Sequence, residues 1–430
     1  MQVGDTIMAL SSGALPAGVA VIRLSGPLVR SCLDTFAGGV PPARLMALRS
    51  IGSQRRLDHG LVVFFPGPHS FTGEDCAELH VHGSLAGVKA ILNDLGTFGL
   101  RLAEAGEFTR RAFENGKLDL VAVEGLGDLL SADTEKQRQQ ALARYDGGLT
   151  RKIEHWREQL LDLRAEIEAR LDFSDEGDVS EALPEHWHVQ LADLEIDIAS
   201  ALASVDSGRI VREGIRVALA GPPNAGKSSL INALAKSDIA IVSDEAGTTR
   251  DVREMPLDIG GQLFILLDLA GLRDTDSLAE AEGIRRAHQA IDTADIVLWL
   301  KAPDVADVAT PPAGLKVLRV GTKADLSAMP DVDLSISTKS GHGLDALIAR
   351  LSLEGEALAG GEPSLVSHER DRQSLASALA ALDETRNALG NWELAAESLR
   401  RASSGLERLI GRVDAENVLD RLFSSFCIGK

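Results

Sequence analysis

Basic residues are in short supply: 44 Lys and Arg stand against 64 Asp and Glu, a formal net charge of −20. That balance argues against broad, non-specific adhesion to nucleic acid or acidic membranes, which needs a positive field. Local basic patches remain open, and the dense candidates are Arg110 with Arg111 and the group Arg400, Arg401, Arg408 and Arg412. Both read first as solvated helix faces. Cysteine is scarcer still. Cys32, Cys76 and Cys427 are too few and too scattered for a disulfide framework or a Cys-rich metal site. Aromatics make up only 4% of the chain, so Ala, Leu, Val and Ile must fill most of its interior. No apolar run approaches the roughly 20 residues of a membrane-crossing helix. The first residues, with Asp5 early, lack a basic-then-apolar secretory pattern. The expectation is a cytoplasmic protein without membrane contact.

What is present organises into blocks, and 430 residues are enough for two or three domains. To about residue 117, strand-like runs at Val19–Leu24, Gly60–Phe65 and Ala77–His82 alternate with Gly- and Pro-bounded turns. From 118 the character is helical. Leu149, Ile153, Trp156, Leu160, Leu163, Ile167 and Leu171 recur at spacings of three and four, one apolar stripe on a long helix. The acidic stretch Ser174–Ser180 interrupts it, and helix resumes through about 205. Between 213 and 353 strand, loop and helix alternate as in a parallel α/β domain. Residues 355–363 read as a linker, after which helical periodicity returns through 365–426. The fold class is multidomain α/β: a helical domain (118–212 and 354–430) split by an inserted nucleotide domain (213–353), behind an N-terminal domain (1–117).

Residues 221–228, Gly-Pro-Pro-Asn-Ala-Gly-Lys-Ser, form a complete phosphate-binding loop between the strand Ile215–Ala220 and a helix over Ser229–Ala235. Gly221 and Gly226 let the backbone curl around phosphate oxygens, with Asn224 and Ala225 between them. Lys227 supplies a cation, the Ser228 hydroxyl suits Mg²⁺, and Ser229 continues the helix. Further elements follow in order. Ala246-Gly247-Thr248-Thr249-Arg250-Asp251 offers Thr249 as a second Mg²⁺ ligand. Asp268-Leu269-Ala270-Gly271 closes the strand Leu263–Leu267, its Asp placed for a metal-bound water and its Gly for the γ-phosphate. Thr322-Lys323-Ala324-Asp325 follows the strand Lys316–Val320, where Asp325 can accept the guanine N–H groups that adenine does not present. Ser337-Thr338-Lys339 supports the base from behind. Together these predict GTP rather than ATP.

One catalytic part is missing. Leu272 follows Gly271, where many GTPases carry a glutamine that orients water. An arginine finger is worth roughly 10³–10⁵ in rate, so another charge and another water-positioning group are required. Asp274, Asp276, Glu280 and Glu282 lie just downstream, either as a mobile switch or as an acidic helix start favoured by the helix dipole.

Several stretches carry a resemblance to a known family. They are Ser70-Phe71-Thr72-Gly73-Glu74-Asp75 with Glu78-Leu79-His80, Gly106-Glu107-Phe108-Thr109-Arg110-Arg111-Ala112-Phe113, and Asn115-Gly116-Lys117-Leu118-Asp119-Leu120. The phosphate loop with Asn224, Gly247-Thr248-Thr249-Arg250-Asp251 and the terminal Cys427-Ile428-Gly429-Lys430 complete the set. The chain resembles the bacterial MnmE/TrmE family of tRNA-modification GTPases over nearly its full length. The resemblance implies an α+β, folate-binding dimerisation domain, a split all-α domain and an inserted Ras-like G domain. It implies K⁺ beside the phosphates in place of the finger, held by Asn224, Ser243, Glu245 and Thr248, with Asp244 and Ala246 in the same loop. The water-orienting carboxylate then falls on Glu280. Arg23, Glu78, Lys117 and Lys430 match positions near the folate, 5,10-methylene-tetrahydrofolate or a relative. Cys427, otherwise a small core residue, would be a thiolate nucleophile or proton donor in the modification chemistry.

The implied activity is GTP hydrolysis coupled to addition of a carboxymethylaminomethyl or aminomethyl group to C5 of the wobble uridine of certain tRNAs. The implied assembly is a homodimer working with the flavin-dependent MnmG/GidA in a heterotetramer or larger complex. The acidic charge suggests that tRNA contact falls largely to that partner. The alternatives are a regulatory ribosome-assembly GTPase without modification chemistry and a folate-dependent one-carbon carrier. Three departures stand out: Ala14-Leu15-Pro16-Ala17-Gly18 for a Gly-rich turn, Leu269 for Thr, and Thr322 for Asn, which predicts looser guanine binding with specificity kept by Asp325. His80 and His82 share a strand face, but without nearby Cys or acidic ligands they do not read as a zinc site.

Overall fold

A computed structural model describes residues 4–172, 182–241, 253–268, 291–305, 314–361 and 364–413, together with 419, 422, 423, 426 and 429. Its contacts divide the chain into one unit of residues 1–127 with 406–430 and another of residues 128–405. Strands and helices both contribute, so the fold is mixed α/β with many helices.

The first unit is built on β1 (Ile7–Leu10), β2 (Ala17–Ser25), α1 (Val29–Phe36), β3 (Ala47–Ile51), β4 (Asp58–Phe65) and β5 (Cys76–Gly83). It continues through α2 (Leu85–Phe98), β6 (Arg101–Leu102), α3 (Glu107–Glu114) and α4 (Leu120–Leu130). The six strands form one sheet in the order β3-β4-β5-β2-β1-β6. All neighbours are antiparallel except β1 and β6. Alternate residues on β2 and β5, namely Ala20, Ile22 and Leu24 with Ala77, Leu79 and Val81, pack beneath Val29, Leu33 and Phe36 of α1 and Val88, Ile91 and Leu95 of α2. The three expected strand runs fall inside β2, β4 and β5. The short strands β1 and β6 lacked the length to show periodicity. A separate cluster joins Val123 to Phe423 and Phe426, with Phe113, Leu118, Leu126, Leu419 and Leu422 around them. The C-terminal segment thus belongs to the core of this unit.

In the second unit come α5 (Glu135–Tyr145), α6 (Gly148–Asp172), α7 (Glu185–Ala203) and α8 (Val205–Glu213). Next are β7 (Ile215–Ala220), α9 (Lys227–Leu234), β8 (Arg253–Ile259), β9 (Gln262–Asp268), β10 (Ile296–Lys301), β11 (Val317–Gly321) and β12 (Leu334–Ser335). Three helices follow: α10 (Leu344–Ala359), α11 (Glu369–Asn387) and α12 (Trp392–Leu409). The sheet runs β12-β11-β10-β7-β9-β8, parallel but for the hairpin β8–β9. The apolar stripe of α6 is buried at Leu149, Ile153, Trp156, Leu160, Leu163 and Ile167, while Leu171 is only half-buried. The acidic stretch Ser174–Ser180 lies outside the described residues.

The linker expected at 355–363 is corrected. Its first five residues are the last turns of α10, which passes through the 353/354 boundary and ends at Ala359. Gly355 misled because glycine usually breaks a helix. Here it lets the helix press on the sheet: a Cβ would come 2.7 Å from Phe264 and 3.0 Å from Ile215.

Candidate functional site

In the second unit β7 has β10 on one side and β9 on the other. Chain order therefore diverges at β7, and ligands of open α/β sheets bind beyond the carboxyl ends of strands at such a point. The loop after β7 is shaped for close backbone approach. Gly221 has φ +136, and a Cβ there would sit 2.3 Å from Leu300 O, so only glycine fits. Asn224 is left-handed at φ 63 and Gly226 at φ 94. No side chain caps the amino end of α9, so its first-turn N–H groups face the loop's concavity without a side-chain competitor. Lys227 Nζ donates to the carbonyls of Gly221 at 2.8 Å and Pro222 at 2.9 Å, folded over the loop it closes. Ala225 is buried, while Asn224, Ser228 and Ser229 are exposed. This donor set fits phosphate, with an exposed hydroxyl at Ser228 and an exposed carboxamide at Asn224 as hard oxygen ligands for cations.

The base loop lies alongside. Thr322, 3% exposed, directs its hydroxyl to Ala225 O at 2.7 Å and Lys301 O at 3.0 Å. It therefore ties the base loop to the phosphate loop. Ser337 donates its hydroxyl to Asp325 Oδ1 at 2.6 Å. That bond, with the charge of Lys339, holds the Asp325 carboxyl below the usual carboxylate range. Ala324 N–H donates to Ile336 O at 3.0 Å, so the two base-side loops are joined by backbone as well. Thr338 is half-buried and Lys339 exposed. Lys323 is left-handed at φ 55 and pairs with Asp304 at 2.7 Å. Its hydrogen bond lowers the Asp304 carboxyl's pKa. Asp304 was not singled out from sequence; its signal is its place in the turn after β10.

Asp268 ends β9, where β9 pairs with Leu219 of β7. Ser243, Asp244, Glu245, Ala246, Gly247, Thr248, Thr249, Leu269, Ala270, Gly271 and Glu280 lie outside the described residues, as do Asp274, Asp276 and Glu282.

In the first unit, Arg23 on β2 faces Glu78 on β5 in register. Two guanidinium nitrogens donate to Glu78 Oε1, at 3.0 and 3.2 Å. His80 Nε2 lies 3.1 Å from the other carboxylate oxygen. The rings of Phe71 and Phe108 flank Arg23 at 5.7 and 5.8 Å. Gly429 reaches the same place: its carbonyl accepts from Ser11 Oγ at 2.9 Å and from Arg23 at 3.5 Å. Lys117 lies against the neighbouring loop, its stem 3.4 Å from where a Cβ on Gly73 would be. Arg23, Glu78 and the terminal segment are thus brought together. Cys427 and Lys430 are outside the described residues. His82 pairs with Asp58 at 2.7 Å.

Arg111 corrects the solvated-face reading. It is buried, bonded to Asp5 Oδ1 at 2.6 Å, Glu107 Oε1 at 2.9 Å and Glu74 Oε2 at 3.1 Å. Arg101 completes the cluster with Asp5 at 2.7 Å and Glu107 at 2.6 Å. Burial pushes both Asp5 and Glu107 upward, but the bonds from Arg101 and Arg111 outweigh it and hold both carboxyls low. Ser25 Oγ donates to Glu74 at 2.6 Å. The stretches 70–75 and 106–113 are therefore partners in one ionic cluster. Arg110 lies over the Phe423 ring at 5.0 Å. Arg400 and Arg401 pair with Glu397 and Glu384, as expected of a solvated helix face.

Comparison with known proteins covers the whole chain. The family model described as the MnmE helical domain matches residues 120–427, and that of the GTP-binding protein TrmE N-terminus matches residues 6–117. A tRNA modification GTPase MnmE of Azorhizobium caulinodans is 49% identical over 433 residues, covering 99% of each chain. One from Sinorhizobium medicae is 49% identical over 442 residues, covering 100% of each. Among solved structures, the G domain of the T. maritima FeoB iron transporter matches at 23% identity and TM-score 0.23, covering 33% of this chain and 98% of that one. That last likeness is too slight to argue from.

Proposed function

This chain belongs to the MnmE family of tRNA modification GTPases, and on that premise we propose that it hydrolyses GTP to drive modification of tRNA. The supporting observation is that two loops are tied together: a phosphate loop at the sheet's divergence point, bonded through Thr322 to a base loop whose Asp325 carboxylate is steered by Ser337. A carboxylate fixed as acceptor selects guanine, whose N1–H and N2–H₂ point the same way. The chain's own residues then divide the work. The backbone from 221 to 229 and Lys227 bind the phosphates, Asp325 reads the base, and Thr322 keeps the two ends at a fixed distance.

Around this core we place the finer assignments. Ser228 and Thr249 would hold Mg²⁺, and Asn224, Ser243, Glu245 and Thr248 would hold K⁺. The bound cations would supply positive charge beside the phosphates in place of an arginine finger. Glu280 would orient the attacking water. Arg23, Glu78, Lys117 and Lys430 would hold a methylene-tetrahydrofolate. A guanidinium flanked by two aromatic rings, beside a carboxylate able to accept pterin N–H groups, suits that donor pattern. Cys427 would act in the transfer to the wobble uridine. The domains would be 1–117 for folate and dimerisation, 118–212 with 354–430 for the helical part, and 213–353 for a Ras-like G domain. The cytoplasmic homodimer would work with the flavin-dependent MnmG/GidA, which would carry most of the tRNA contact.

Steady-state GTP hydrolysis compared in K⁺ and Na⁺ at several protein concentrations tests this. Expected are faster turnover in K⁺, a rate per subunit that rises with concentration, and loss of the K⁺ effect in Glu280→Ala with nucleotide binding retained. Equal rates in both salts at all concentrations overturn the K⁺-dependent, dimeric reading. Mass spectrometry of tRNA from cells lacking the gene tests the modification itself: unaltered wobble uridines would leave the regulatory GTPase and the one-carbon carrier.

A further inference from the structure

We infer that the edge of α5 bearing Gln137, Gln140 and Arg144 is the element through which the nucleotide site and helix α11 sense one another. The inference rests on the guanine-nucleotide reading above and names how that site is coupled to the rest of its unit.

The two strands that end at the nucleotide site, β7 and β9, have their opposite ends held by side-chain amides. Gln262, the first residue of β9, donates to Ile210 O of α8 at 3.1 Å. Gln137 of α5 donates to Arg212 O at 2.9 Å, near the end of α8 and three residues before β7 begins. The turn of the β8–β9 hairpin is gripped by α5 directly, since Gly261 O accepts the Lys136 N–H at 3.0 Å. Strands of six or seven residues span roughly 20 Å, so these bonds lie a full strand length from the phosphates.

From there α5 carries the connection onward. One turn along, Gln140 donates to Gly208 O at 3.1 Å and to Ser364 O at 2.7 Å. Four residues further, Arg144 donates to Leu365 O and to Asp371 Oδ2, the latter at 2.9 Å, and Asp371 is in the first turn of α11. Arg212 Nε adds a bond to Ser367 O at 3.2 Å. Spacings of three and four put the three α5 side chains on one face, and all three are buried.

Most of these bonds run from a buried side chain to a backbone carbonyl. Water cannot replace them, so a displacement of β7 or β9 is handed to α8 and α5 rather than absorbed by slipping contacts. A close fit removes the remaining slack: a Cβ on Gly208 would lie 2.0 Å from Val366 O. The sheet, α8, α5 and the start of α11 therefore move as linked bodies, and a ligand that prefers one sheet position biases all of them.

Hydrogen exchange read by mass spectrometry on the full chain, bound to GDP or to a non-hydrolysable GTP analogue, tests this. In the wild type, exchange across 204–212 and 364–372 should differ between the two nucleotides by at least about fivefold, the lower end of ordinary coupling. The Gln137→Met, Gln262→Leu double variant should bind both nucleotides within about twofold of the wild type yet lose the difference at 364–372. A wild type with no nucleotide-dependent difference at 364–372 overturns the inference, whether or not the double variant folds. So does a variant that keeps the difference in full. Failure of the wild type to bind guanine nucleotides at all would instead sink the underlying reading, and the coupling with it.

Discussion

Thr322 offers a sharp test of how the nucleotide site is held together. Its hydroxyl has one proton and two carbonyls in range, Ala225 O at 2.7 Å and Lys301 O at 3.0 Å. Thr322→Val keeps the shape and removes the hydroxyl. Lys301 O remains satisfied, because the Thr322 backbone N–H donates to it at 2.7 Å. The loss is therefore concentrated on the link to Ala225, the span that joins the base loop to the phosphate loop. One such bond contributes about 1 kcal/mol net, rising toward 2 when a buried partner is left unsatisfied. If the nucleotide must reorder the loosened loops on binding, GTP and GDP should each weaken by roughly five- to thirtyfold. Thr322→Ser should restore most of the affinity, and Thr322→Asn, with a longer hydrogen-bonding arm, should bind more tightly than the wild type. Titration calorimetry with GTP, GDP and ATP reads all of these. GTP affinity in Thr322→Val equal to the wild type's would refute the tie, and no gain in Thr322→Asn would refute the looser-binding expectation.

Other outcomes follow from the same geometry. Gly221→Ala forces a Cβ to 2.3 Å from Leu300 O at φ +136, strain of about 1–3 kcal/mol that should weaken nucleotide binding by roughly five- to 150-fold in a fluorescence titration. Arg144→Met removes the nearest cation from the fully buried Asp371, leaving Arg370 at 3.6 Å and two backbone N–H donors, and should cost about 3 kcal/mol in urea unfolding; adding Asp371→Leu should recover much of it. The Asp5 and Glu107 carboxyls are held low in the folded chain. Their contribution is complete above the ordinary carboxylate values of about 4 and disappears as pH falls through the lowered folded values. Melting temperature should therefore drop steeply below about pH 4, less so in Arg111→Met, and an identical acid profile in that variant would count against the cluster.

Legibility in the sequence tracked how local the determinant was. The strand, loop and helix around residues 215–234 could be read directly because their demands fall within some twenty consecutive positions. Asp325 and Ser337 were likewise placed by order along an alternating segment. Arg111 was not, since its partners Asp5 and Glu74 are far away in the chain, and a basic pair on a helix looks solvated until the carboxylates appear. Gly355 was read as a breaker because its packing partners, Phe264 and Ile215, belong to strands distant in sequence. Thr322 was judged by its length against asparagine, whereas its consequence lies in which carbonyl it meets.

The placement of Gly429 beside Ser11 and Arg23, with Phe423 and Phe426 packed on Val123, bears on how the polypeptide is made. The opening 127 residues leave the ribosome long before the segment that completes their interior. At about 5–20 residues per second, translating residues 128–405 delays that segment by tens of seconds. Until that segment emerges, Val123 and Phe113 lack their aromatic partners Phe423 and Phe426, so this unit completes its core only after residues 128–405 have been made.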